Sequence, residues 1–178
     1  EEVKSSIDRG EIGKVQVVRE NERRSRPSPG SEGYWTPGHW TSDPSIAVGA
    51  ILTNAIHETD LIRWFTQQRP VRVYAEHKVT REGGVVPDFI SFIVQFADGA
   101  LGQAEVSNCL PEGHPFYHQL EIFGTRGRIA SKDADQIGLV RFAGGAATFP
   151  DSYHTLLHVQ DAYTKELSLF VRSLLEDE

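Results

Sequence analysis

The hydrophobic period of this chain changes twice along its length, and that change limits the fold more than any other feature. From about Ser45 to Phe65 the apolar residues Val48, Ile51, Leu52, Ala55, Ile56 and Ile62 recur at steps of three and four. That is the spacing of a helix packed along one side, and Asp43-Pro44 ahead of it supplies a cap and a first-turn proline. Beyond Arg69-Pro70 the period drops to two. Val71 to Ala75 alternates, while Phe89 to Phe96 and Ala100 to Ser107 are rich in strand-forming residues and meet at the tight turn Ala97-Asp98-Gly99. His118 to Phe123 and Arg128 to Ser131 flank Gly124-Thr125-Arg126-Gly127 in the same manner, Gln136 to Phe142 reads as a further strand, and Lys14 to Arg19 as an early one. From Val159 to Leu175 the period returns to that of a helix, with Val159, Tyr163, Leu167, Phe170, Val171 and Leu174 on one side.

An early helix, a run of antiparallel strands and a late helix describe an α+β domain: an open, mostly antiparallel, meander-like β-sheet with helices packed on one face. With 178 residues the chain has the size of one domain, and 39% hydrophobic and 24% charged residues suit a folded globular body. Ser25 to Gly33 has a linker's composition, but it joins a strand to the aromatic segment Tyr34 to Trp40 and so reads as a surface loop.

A net charge of −7 argues against nucleic-acid or membrane-surface partners, since phosphates and anionic lipids repel an acidic surface. The basic cluster Arg19, Arg23, Arg24 and Arg26 is interrupted by Glu20 and Glu22 and reads as a solvated strand end and loop. Cys109, the one cysteine, excludes an internal disulfide, fits a cytoplasmic compartment and reads as a packing residue. No run approaches the roughly 20 apolar residues of a membrane helix. The sequence contains no methionine, which points to a piece of a longer chain.

Thr53, His57, Asp60 and Trp64 are spaced four, three and four apart, so a helix would stack them on one side. Histidine exchanges protons near neutrality, and an aspartate one turn away can orient its ring or hold a substrate hydroxyl. Taken alone, the stripe reads first as that of a core or surface histidine satisfied by its surroundings. His57-Glu58-Thr59-Asp60 could offer two metal ligands to a hydrolase site, but it lacks the second histidine of the zinc-protease helix. His114, His118, His154 and His158 are scattered through loops and strand ends, so no metal is assigned. Trp35, His39 and Trp40 form an aromatic cluster suited to sugar faces, and Tyr117 could bring a hydroxyl to a ligand. Gly10-Glu11-Ile12-Gly13 and Gly124-Thr125-Arg126-Gly127 read as turns. Neither is a glycine-rich phosphate loop opening a helix, so a dinucleotide site must come from elsewhere.

In order along the chain, Ile7 to Val15, Gly49 to Leu52 with Ile56 to Trp64, Val71 to Ala75, Phe96 to Gly102, Leu120 to Gly127 and Glu166 to Val171 resemble segments of the second domain of the Gfo/Idh/MocA oxidoreductases. The resemblance implies an amino-terminal Rossmann domain, carrying NAD or NADP and a catalytic lysine, that this chain does not include. Residues 1–178 would then be the carboxy-terminal substrate-binding and oligomerisation domain of a dehydrogenase for a sugar, polyol or related hydroxy compound. His57 matches the family's catalytic histidine and Asp60 its acidic position one turn later, while Thr53, Asp60, Trp40 and Tyr117 are the expected substrate-binding residues. The sequence departs from the pattern at Thr53, where many family dehydrogenases carry an aspartate, and at Val48-Gly49-Ala50, where consecutive glycines are common. Thr53 also supports a second reading, a catalytically silent ligand-binding or assembly module. The family pairs through the open sheet face, which implies a homo-oligomer, a dimer or tetramer.

Overall fold

The computed structural model describes residues 2–25, 38–47, 49, 53–133, 136–141 and 159–176. Helix α1 (Glu2–Asp8) leads through a turn at residues 9–13 into strand β1 (Val15–Ser25). A short 3-10 turn (Trp40–Ser42) precedes helix α2 (Ala55–Thr66). Strands β2 (Pro70–Lys78), β3 (Phe89–Phe96), β4 (Leu101–Leu110), β5 (Tyr117–Gly124), β6 (Gly127–Asp133) and β7 (Gln136–Arg141) follow, and helix α3 (Val159–Glu176) comes last. This is the α+β class that the changing period implies.

The strands form one open sheet in the order β2-β3-β4-β1-β5-β6-β7. The β1–β4 pair is parallel and the other five pairs are antiparallel. The sheet is therefore mostly antiparallel but not a meander, because the first strand occupies the middle. β1 aligns Val17 with Leu101 on β4 and Val18 with Ile122 on β5, separating two strands that are consecutive in the chain. Alternation marks each strand, whereas the choice of partner depends on which strand supplies buried residues on the helix side. β1 does so with Val18, Glu20 and Glu22.

Helix α2 packs over β1 and β4, and its Ile62 and Phe65 join Val18, Phe92, Phe96 and Ile122 in the core. α1 lies beside it, with Val3 in the core and Gln67 Nε2 donating to Asp8 Oδ1 at 3.1 Å. The β3–β4 hairpin closes at the expected turn: Asp98 Oδ1 accepts the Ala100 amide at 3.0 Å, and Gly99 takes φ +89°. The late helix forms where the period places it, but residues 163–175 are all exposed, so its apolar stripe does not join this core. A periodic pattern specifies which side of a helix is apolar, not what covers it.

The height of α2 above the sheet is set at Gly102, where a Cβ would collide with Ile62 Cγ2 and touch Phe96. Gly102→Ala is therefore expected to lift α2 and lower stability by about 1–3 kcal/mol. Denaturant midpoints of the variant and parent chains check this, and coincident midpoints would show that the helix does not rest on that position.

Candidate active site

Helix α2 carries the candidate chemistry and has two dissimilar sides. Ala55, Glu58, Ile62, Phe65 and Thr66 are buried against the sheet. His57, Asp60 and Trp64 lie together on the outer side, where Ile56 is 55% and Trp64 42% exposed. The apolar stripe read from the sequence put Ile56 inside. The structure buries Glu58 instead, because 55, 58, 62 and 65 form the regular three-and-four series, while Ile56 lies about 240° around the helix from Ile62.

Among the described residues the regular helix starts at Ala55, and Thr53 stands in a helical turn ahead of it with its amide donating to Gly49 O at 3.4 Å. Residues 44–46 form a turn whose Ser45 amide and hydroxyl both donate to Asp43 Oδ1, so Asp43-Pro44 caps this turn and not α2. Val48, Ala50, Ile51 and Leu52 lie outside the described residues. Asn54, at φ −124° and ψ −56°, breaks the helical path, which detaches Thr53 from the strict stripe. The Thr53 hydroxyl has two carbonyl neighbours, Gly49 O at 3.0 Å and Asn54 Oδ1 at 2.9 Å. Gly49 itself adopts φ +62° beside Pro87, where a Cβ would strike the Pro87 carbonyl.

Beneath α2 lies a feature that the sequence reading missed, a buried acidic cluster. Glu20 and Glu22 of β1 point to the helix side and face Glu58 and His118. His118 Nε2 stands 3.1 Å from Glu20 Oε2, Asn54 Nδ2 donates to Glu22 Oε1 at 3.0 Å, and Arg24 Nε donates to the same oxygen at 2.8 Å. Burial, followed by the charge of Glu22, pushes the Glu58 carboxyl up to about 7. Burial likewise raises Glu20, and the bond to Glu20 raises His118. The signal was present in β1, since residues 18, 20 and 22 share a face and Val18 marks it as the inner one. Among the described residues no three His, Cys, Asp or Glu side chains converge as metal ligands.

The other expected site residues are not gathered at His57. Tyr117 pairs in register with Arg23, one position from the inward Glu22–His118 pair, so it projects from the open face with the sheet between it and α2. Its hydroxyl donates to Gln119 at 2.9 Å. Trp40 is 48% exposed on the 3-10 turn, with its ring 5.7 Å from that of His39. Trp35, His154 and His158 lie outside the described residues. The arginines are not merely solvated: Arg19 covers Phe123, Arg23 covers Tyr117 and bonds Glu105 at 2.9 Å, and Arg24 covers Phe116. Arg26 lies outside the described residues. On the outer side of α2 a shallow depression lined by Asp60, Leu61, Arg63, Trp64, Gln67 and Gln68 opens beside the aspartate.

The family model for the GFO/IDH/MocA C-terminal domain matches residues 1–130. This chain belongs to the Gfo/Idh/MocA family. Among its Gfo/Idh/MocA relatives, the inositol 2-dehydrogenase of Acidothermus cellulolyticus is 31% identical over 127 residues, covering 70% of this chain and 36% of the relative. The myo-inositol 2-dehydrogenase of Thermotoga maritima is 25% identical over 181 residues, covering 99% of this chain and 50% of the relative. A levoglucosan dehydrogenase solved in complex with NADH superposes with a TM-score of 0.68 at 26% identity, covering 85% of this chain and 42% of that one. The chain thus spans half or less of the length of these relatives.

Proposed function

We propose that this chain is the substrate side of an NAD- or NADP-dependent oxidoreductase that passes hydride between nicotinamide and a sugar, polyol or related hydroxy compound. One observation carries the reading: in a chain of this family, His57 and Asp60 stand together on the uncovered outer side of α2. The inositol and levoglucosan dehydrogenases among the relatives favour a polyhydroxylated substrate, and the NADH complex favours a nicotinamide cofactor. No glycine-rich phosphate loop occurs in this sequence, so a second body must hold the pyrophosphate. The residues of this chain that would suit the nicotinamide ring are Ile56 and Trp64, both exposed on the same helix as His57. When bound, the cofactor supplies hydride acceptance.

The chain's own contribution is proton handling and orientation. The His57 imidazole accepts the proton of the substrate hydroxyl as the carbon releases its hydride, and returns it in the reverse direction. Asp60 and Thr53 hold neighbouring hydroxyls. The open sheet face, with Arg23 over Tyr117, Arg19 over Phe123 and exposed Leu101 and Ile93, serves as the contact of a homo-oligomer. No described helix is long and apolar enough to cross a membrane, and the lone Cys109 suits the cytoplasm.

A screen of polyols, including myo-inositol and levoglucosan, against the full-length protein with NAD and NADP is expected to give reduced cofactor, and residues 1–178 alone none. Absence of cofactor binding by full-length protein would sink the reading, as would turnover by the isolated chain. The inward bonds of Thr53, in place of a carboxylate, favour a second reading as a silent binding module. Under that reading the full-length protein binds polyols without oxidising any.

A further inference from the structure

Strand β2 ends the sheet, and all nine of its residues are exposed. Val73 is 62% and Tyr74 64% open to solvent, although Val94, the partner of Val73 on β3, is buried. The cause is that α2 packs over β1 and β4, further into the sheet. Among the described residues no strand pairs with the other side of β2, so a row of backbone amides and carbonyls lies free along it. Edges of this kind are blunted by proline, irregular register and charge. β2 has Pro70, a shift of register between Pro70 and Arg72, and charges at Arg72, Glu76 and Lys78. From Arg72 onward, however, its register with β3 is unbroken.

The placement of the charges favours one partner over simple blunting. Arg72, Tyr74 and Glu76 share the open face, opposite Gln95, the exposed Ile93 and Ser91. Arg23, Arg24 and Arg128 on other strands each have a carboxylate at ion-pair distance. Arg72 has none among the described residues, and Glu76 meets only the Tyr74 hydroxyl, at 2.9 Å. If β2 pairs antiparallel with β2 of a second copy about a twofold axis at Tyr74, Arg72 falls opposite Glu76 twice, and Val73 opposite Ala75 twice. Other registers lose this match. An axis at Ala75 sets Arg72 opposite Lys78, an axis at Arg72 or Glu76 sets that residue opposite itself, and an axis at Val73 sets Arg72 opposite Tyr74. Registers offset by one residue bring the open face of one copy beside the helix side of the other and match neither charge.

We propose that the β2 edge is an interface with a second copy of this chain, in which the two edges pair antiparallel about Tyr74 and two Arg72–Glu76 ion pairs set the register. The contact is isologous and closes on itself, so it joins two copies and leaves no free β2 edge. It is distinct from the sheet-face contact, and together the two make a tetramer out of a dimer. It rests on the edge alone and stands whether or not the protein is an oxidoreductase.

Sedimentation of the full-length protein at micromolar concentration tests it. Arg72→Glu opposes carboxylates at both ends of the register and is expected to halve the mass of the assembly. Glu76→Arg opposes guanidinium groups and should do the same. The two changes in one chain bring opposite charges together again and should restore the parent mass. Amide exchange over residues 72–76 should be faster in each single variant than in the parent and return to the parent rate in the double variant. The double variant also separates dissociation from misfolding, since a fold broken by one reversed surface charge is not mended by a second. A monomeric parent, single variants of unchanged mass, or a double variant that stays apart would each overturn the proposal.

Discussion

Replacing His57 with alanine in the full-length protein is expected to lower kcat by roughly 10² to 10⁴ while leaving the unfolding midpoint where it was. The two halves of that expectation come from one fact of position. His57 sits on the outer side of α2 and contributes nothing to the core that holds the helix, which is built from Ala55, Ile62 and Phe65. Truncating an exposed side chain away from packed features shifts stability by less than about 0.5 kcal/mol, so a large kinetic loss cannot be charged to unfolding. A general base positioned at the reacting hydroxyl supplies two to four powers of ten, and the variant must manage with solvent as base. Asp60→Asn, which retains the shape and removes the charge, is expected to act mainly through KM, because a residue that holds a hydroxyl binds ground and transition states alike. Steady-state kinetics on folded, cofactor-loaded protein decide both. Unchanged turnover in His57→Ala would remove the residue from the chemistry and favour the silent-module reading.

What could be read from the sequence follows from how locally each feature is encoded. β3, β4 and their turn at Asp98 and Gly99 are legible because a hairpin places sequence neighbours together, and the strand limits fall within a residue or a few of those expected. The central position of β1 is not legible, because its pairing with β4 joins residues more than eighty positions apart, such as Val17 with Leu101. Within α2 the misplacement of Ile56 has a specific cause. A reading that assigns every aliphatic residue to the core cannot admit Glu58, although Glu58 restores the regular spacing. Glu20 and Glu22 were obscured in the same way, as interruptions of a basic cluster, when their alternation with Val18 marked them as inward. Thr53, His57 and Asp60 were legible as types at a spacing. The inward bonds of Thr53 were not, because the one to Asn54 depends on Glu22, which comes from a distant strand.

Raising the pH from about 5 to about 8 should destabilise the domain, and Glu58→Gln should remove the share of that dependence that Glu58 carries. Glu58 is 1% exposed, with Oε2 lacking a hydrogen-bond partner among the described residues, and it faces Glu20 and Glu22 from β1 and His118 from β5. Its carboxyl is raised from 4.5 to about 7, first by burial and then by the charge of Glu22. A carboxyl raised by folding holds its proton in the native state while the unfolded chain releases it. Its favourable contribution is therefore complete below 4.5 and disappears as pH rises through about 7. At about 1.4 kcal/mol per unit, the loss is on the order of 3 kcal/mol. Glu20 is raised by burial, so its contribution has the same sign. His118, raised by its bond to Glu20, also stabilises below its ordinary 6.5 and ceases to do so above its raised value. Asp8, Asp43 and Asp98 are held low and act in the opposite sense, but their contribution fades only as pH falls below 3.8, outside this window. Glutamine keeps the neutral shape that Glu58 has when protonated. The variant should accordingly match the parent near pH 5 and exceed it near pH 8 by a large part of that figure, as read from denaturant midpoints. A parent domain equally stable at both pH values, or a variant with the same pH dependence as the parent, would show that the proton is not held at Glu58.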